Sequence, residues 1–217
     1  MVKRLVLALA LSLVCLPVGA ETGHHLAFAK HGWLYVAQIT PSGRLVRGDP
    51  VRVARLPRPG ETPQLSWSPD GGSILVSGER EVWLVDARQG SLPRKVTDGS
   101  DAGFSPDGRR LVFADASGGV SVLDLATGRV TLLRAKAQQP VWAGDRVTVV
   151  DASSPTEFSA SVLVLEADGG KVRFTAPAMV NPIRLVLSPD GRYLAFEPHL
   201  SRPLSGSVIF DARRQAA

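Results

Sequence analysis

Three aspartates stand in one recurring tetrapeptide: Ser68-Pro69-Asp70-Gly71, Ser105-Pro106-Asp107-Gly108 and Ser188-Pro189-Asp190-Gly191. Repeated carboxylates suggest a metal-binding ring or acid–base chemistry, but turn formation explains every copy. Proline presets φ for a type I turn, aspartate tolerates the second central position, and glycine relieves crowding at the exit. The histidines, His24, His25, His31 and His199, lack metal-site spacing with acids or with one another. His24 and His25 are expected in a frayed N-terminal segment, His31 in a turn, and His199 in a loop. Cys15, the only cysteine, lies in an apolar leader, so the rest of the chain has no thiol nucleophile and no disulfide. The strand-to-helix context of a nucleophile elbow is also missing. No catalytic residue, metal ligand or cofactor site is predicted.

Recognition chemistry has more candidates. Arg44, Arg47, Arg52, Arg55 and Arg58 form a basic patch, opposed nearby by Asp49 and Glu61. It suits an anionic contact or, as its alternation favours, an outer strand kept soluble by charge. Two long irregular stretches, Ala152 to Ala160 and Pro198 to Gly206, are the candidate interaction loops. They carry Ser153, Ser154, Thr156, Glu157 and Phe158, and His199, Leu200 and Arg202. Trp33, Trp67, Trp83 and Trp142 are expected to pack between sheets rather than to serve as ligand platforms.

The elements that position these residues are short β-prone runs. Each Ser-Pro-Asp-Gly copy follows an apolar run ending in Trp67, Phe104 or Leu187, and precedes another: Ile74-Leu75-Val76, Leu111-Val112-Phe113 or Leu194-Ala195-Phe196. Third runs end in an acid followed by a glycine turn, Asp86 to Gly90 and Asp124 to Gly128, where an Asx turn leads into a fourth strand. Second runs begin near Leu26, Ile74, Leu111, Val147 and Leu194, a spacing of 36 to 48 residues. Four short strands at this period predict an all-β fold, a β-propeller of about five four-stranded blades. The units fall near 24–60, 61–99, 100–137, 138–177 and 178–217, one propeller domain over 21–217. The first unit lacks an evident first strand and the last its fourth. Irregular closure or completion by a second copy are the ways such a ring would close, an open arc being disfavoured by its bare edges.

The pattern Ser-Pro-Asp-Gly-x-x-Leu-x-Phe … Gly-x-Val-x-Val-Leu-Asp-x-x-Thr-Gly, best developed from Ser105 to Thr131, resembles the WD-repeat-like blades of the TolB-type propeller family. That resemblance implies a bacterial exported propeller. TolB itself has six blades and a preceding α/β domain, which this sequence does not show.

Composition agrees with export. Lys3 and Arg4, the apolar run Leu5 to Leu16 and Val18-Gly19-Ala20 form a secretory signal pattern over 1–20, cleaved near Ala20. Val14 before Cys15 is a poor match to a lipid-attachment signal. Without Lys3 and Arg4, 23 basic residues remain of 25, against 20 acidic, a net charge of about +3. That balance argues against a nucleic-acid partner, and no later segment is long and apolar enough to span a membrane. The expected function is a non-catalytic periplasmic or secreted scaffold without a cofactor, binding an envelope protein or peptide. The competing class is a propeller lyase or hydrolase with an axial metal site.

Overall fold

The computed structural model describes residues 11–14, 24–40, 48, 50–153, 160–176, 182–198 and 208–212. Among them are strands and no helix. The first sheet contains β1 (Leu11–Val14), β2 (His24–Lys30), β3 (Trp33–Ile39) and β4 (Val51–Arg55). The second contains β5 (Gln64–Trp67), β6 (Ser73–Ser77), β7 (Glu81–Asp86) and β8 (Arg94–Asp98). The third contains β9 (Ser100–Phe104), β10 (Arg110–Ala114), β11 (Val120–Asp124) and β12 (Val130–Arg134). The fourth contains β13 (Ala137–Ala143), β14 (Arg146–Asp151), β15 (Ser161–Glu166) and β16 (Val172–Thr175). The fifth contains β17 (Pro182–Leu187), β18 (Tyr193–Pro198) and β19 (Val208–Asp211). Strands pair in chain order within each sheet, so each is a meander, or blade.

The hairpin joining the first two strands shows why the tetrapeptide recurs. Ser68 Oγ donates to Asp70 Oδ1 at 2.6 Å and accepts the Ser73 N–H at 2.9 Å. Asp70 Oδ1 accepts the Gly72 N–H at 3.0 Å, and the Gly71 N–H closes the turn on the Ser68 carbonyl at 2.9 Å. Gly71 sits at φ +69°, where a side chain would be strained. The clamp repeats as Ser105 to Asp107 and Ser188 to Asp190, both 2.6 Å. In the fourth blade Gly144, at φ +57°, makes the equivalent turn without it.

Two expectations need correction. The first blade has four strands rather than three, because Leu11–Val14, inside the segment read as leader, pairs antiparallel with β2. Leu11 lies opposite Phe28 and Val14 opposite His25. An apolar run rich in leucine and valine is strand-competent, and the β2 edge offers it unpaired backbone groups. For the same reason His24 and His25 are not frayed: they begin β2, opposite Ile39 and Gln38. The last blade has three strands among the described residues, as predicted.

Contacts divide the chain into units 1–100 and 101–217. In the first, one core joins blades one and two through Ala27, Leu34, Val53 and Leu56 with Trp67, Ile74, Val76 and Val85. In the second, the fourth blade is apolar on both faces. Val147, Val149, Leu163 and Leu165 pack on Val112, Val120 and Val122 of the third blade. Val150, Val162 and Val164 pack on Leu185, Leu187, Leu194 and Phe196 of the fifth. Alternation along β14 and β15 sends successive side chains to opposite faces, so a strand covered on both sides reads as one apolar run. Each such valine or leucine contributes roughly 1.5–3 kcal/mol by leaving water. On the other face of the fifth blade Val186, Tyr193 and Ile209 remain exposed.

Candidate binding groove

The outer strands carry different amounts of charge. β4 bears Arg52 and Arg55, β8 bears Arg94, Lys95 and Asp98, and β16 bears Arg173. In β12, Val-Thr-Leu-Leu-Arg, the one charge is Arg134, which Asp151 holds at 2.8 Å. Val130 and Leu132 are 51% and 57% exposed. A bulge follows: Leu132 lies opposite Ser121 and Arg134 opposite Val120, which leaves Leu133 extra. Bulges of this kind bend a strand and re-aim its side chains.

Beside this strand lies a groove of about 410 Å³. Val122 and Ala167, both buried, form its floor; Thr131, Leu132 and Leu133 line one side, Asp168 and Gly169 the other. The second side is the hairpin joining β15 to β16, closed by the Glu166 N–H on the Lys171 carbonyl at 2.8 Å. The hairpin comes so close to β12 because position 170 is glycine. It has φ +67°, and a Cβ there would stand 2.4 Å from the Leu133 carbonyl oxygen.

Arg110, Asp124, Thr127 and Arg129 form the mouth. Arg110 reaches Asp168 at 2.5 Å and lies over the Trp142 ring at 4.9 Å from its centroid, tying the third blade to the fourth. Asp124 makes the predicted Asx turn, accepting the Thr127 N–H and hydroxyl at 2.8 Å each and the Ala126 N–H at 3.1 Å. The Thr127 amide and then its hydroxyl hold the Asp124 carboxyl below the usual aspartate range. Asp168 and Asp124 therefore have their donors, whereas the exposed Arg129 guanidinium has no acidic partner among the described residues. The arrangement combines an apolar floor, a strand edge without charge from Val130 to Leu133, and two arginines with two aspartates at the mouth.

The other sequence candidates that are described lie outside this groove. Arg52 stacks over the Trp33 ring at 4.6 Å, and Arg58 Nε reaches Glu81 at 2.9 Å and Glu61 at 3.8 Å. β4, with Arg52 and Arg55, is the outer strand of its sheet, which is the solubilised edge the alternation favours. Arg44 and Arg47 lie outside the described residues, as do Ser154, Thr156, Glu157, Phe158, His199, Leu200 and Arg202. Ser153 is described, and its amide bonds Asp151 at 2.9 Å. Trp67 is buried, as expected. Among the described residues no group of three or more His, Cys, Asp or Glu is placed to hold a metal ion. The groove was missed although β12 stood in the sequence as a fourth strand; the readable signal was its lack of charge beside β4 and β8.

No protein-family model matches the sequence, and no curated protein matches it. Solved structures do. A TolB candidate from Agrobacterium tumefaciens aligns at TM-score 0.60 and 16% identity, over 86% of this chain and 73% of that one. TolB from Acinetobacter baumannii aligns at TM-score 0.58 and 18% identity, over 84% of this chain and 47% of that one. Hsv2 from Kluyveromyces lactis aligns at TM-score 0.60 and 18% identity, over 88% and 59%. This chain thus spans about half to three quarters of the length of these proteins, and identity at this level speaks for the fold. The fold is that of a β-propeller, with TolB structures among its likenesses.

Proposed function

We propose that the protein is a non-catalytic scaffold of the bacterial envelope that binds another envelope protein or a peptide through the groove beside β12. The observation that carries this reading is the groove itself, lined by Thr131, Leu132 and Leu133 of an outer strand whose single charge, Arg134, is held by Asp151. An apolar edge invites a partner strand unless something blunts it, and a rigid β scaffold presents such a surface without ordering cost. A photo-crosslinking residue at Leu132, tested in cells, is expected to give a discrete protein adduct. The same probe at Leu92, 88% exposed in a turn of the second blade, is expected to give none. Equal labelling from both positions, or none from Leu132, rejects the reading.

Export is the second part of the proposal and rests on Lys3, Arg4, the apolar run and Val18-Gly19-Ala20. Cleavage after Ala20 would remove β1 and make β2 the end strand of its blade. Mass spectrometry of the protein from a periplasmic fraction is expected to find Glu21 at the N-terminus. Retention of residues 1–20 in the folded protein overturns the cleavage reading.

A further inference from the structure

We infer that the β2 edge of the first blade is a strand-addition site that opens when the leader is removed. Its occupant is an extended, uncharged segment of a partner protein, with a small residue between two large apolar ones. This rests on cleavage after Ala20 and concerns a surface separate from the groove beside β12.

The seat is visible because the chain's own leader fills it. Leu11–Val14 runs antiparallel to β2, with Leu11, Ser12, Leu13 and Val14 opposite Phe28, Ala27, Leu26 and His25. Without residues 1–20 that ladder is lost, and β2 keeps only its pairing with β3 on the other side. The backbone groups turned toward β1 then need new partners. An extended segment supplies them by strand addition, which a helix cannot do. Because β1 also lies against β5, a segment in its place touches the second blade as well as the first.

The residues of β2 say what the segment should carry. Residues directly opposite in an antiparallel pair share a face of the sheet. Ala27 is fully buried in the core that blades one and two share with Trp67 and Ile74. The residue opposite Ala27 therefore meets that core. A charge there would be desolvated among apolar groups, and a bulky side chain would overfill packing already closed around an alanine. Leu26 and Phe28 alternate to the other face, where Phe28 stacks on Tyr35 at 5.3 Å between ring centroids. Large apolar side chains opposite these two extend that surface. Leu11-Ser12-Leu13 has this order, large, small, large, and no charge.

The experiment compares the processed protein from a periplasmic fraction with the unprocessed full chain, each verified by mass. The probe is a fluorescent peptide with the sequence of residues 8–14, carried on a lysine tag for solubility. The processed protein is expected to bind it saturably and to gain melting temperature. The full chain, whose own β1 competes at high effective concentration, is expected to bind about tenfold more weakly or worse. A Ser12→Lys peptide should lose binding and a Ser12→Ala peptide keep it. Position is read by disulfide trapping, since the chain after residue 20 has no cysteine. His25→Cys, at an exposed site, should trap a Val14→Cys peptide, and Leu92→Cys should not. No binding to the processed protein, equal affinity for both forms, indifference to Ser12→Lys, or equal trapping at residue 92 overturns the strand-addition site and leaves cleavage standing. Residues 1–20 still present in the folded periplasmic protein overturn cleavage, and this inference with it.

Discussion

β8 and β12 hold the same place in neighbouring repeats and meet solvent differently. On β8, Lys95 Nζ reaches Glu81 at 3.0 Å and Asp98 at 2.6 Å, and Glu81 also takes Arg58. The result is a charged lattice over the rim of the second blade. On β12 the one charge is drawn to Asp151, leaving Val130, Thr131 and Leu132 bare. Charge on an exposed edge hinders unplanned strand pairing. Its withdrawal from the first three residues of one edge leaves that stretch without this protection.

The comparison requires the two blades to be alike inside. Ile74 and Leu111 are the second residues of equivalent second strands, and both are fully buried. Ile74→Ala and Leu111→Ala are each expected to cost about 2–5 kcal/mol in urea unfolding. A markedly cheaper Leu111→Ala would mean that the third blade is loose throughout, and the contrast would not belong to the rim.

Glycine substitutions give the next largest effect. Gly90 and Gly170 both have positive φ, but a Cβ at Gly90 meets nothing within 4 Å, whereas at Gly170 it strikes the Leu133 carbonyl. Gly170→Ala is expected to cost about 1–3 kcal/mol, more than Gly90→Ala, and to weaken peptide binding. Equal costs would show that the hairpin does not bear on β12.

Acid should act on both blades. Hydrogen bonding to Arg58 holds Glu81 low, and the Ser105 hydroxyl, then the Arg109 amide, hold Asp107 low. Folded-state values below the unfolded ones mean that this stabilisation is fully present above the unfolded carboxylate range, about 4. It is lost as pH falls through the depressed folded values. Urea midpoints measured downward from neutral pH should therefore decline through and below pH ~4, less steeply in Ser105→Ala. An unchanged slope in that variant would remove the Ser105 bond from the account. The smallest effect is expected from Lys95→Ala. Its ion pairs are exposed and screened, and the melting temperature should barely move.

Much of the fold was legible because its signals are local. A turn tetrapeptide flanked by apolar runs specifies a hairpin within ten residues, and its three copies mark blades two, three and five. The role of Ser68, Ser105 and Ser188 was not read, because a hydroxyl's partner depends on the backbone path beyond the turn. β1 was hidden by its double competence: Leu11–Val14 suits a leader and a strand equally. The groove was least legible, because it depends on Asp168 approaching Arg110 across 58 residues of sequence. What local pattern did contain was the uncharged Val130 to Leu133.

The serine clamp also bears on the order of folding. Ser68 bonds the Asp70 carboxylate and the Ser73 amide, so its contacts span two and five residues. Closing so short a loop costs little chain entropy, and hairpins of this size form in roughly 1–10 μs. The clamped hairpins of blades two, three and five are thus suited to nucleate early, with outer strands and inter-blade packing following. The fourth blade, turning on Gly144 without a clamp, would then depend on its neighbours as templates. Stopped-flow refolding should find the barrier more sensitive to Ser105→Ala than to removal of the Arg110–Asp168 tie that completes the groove.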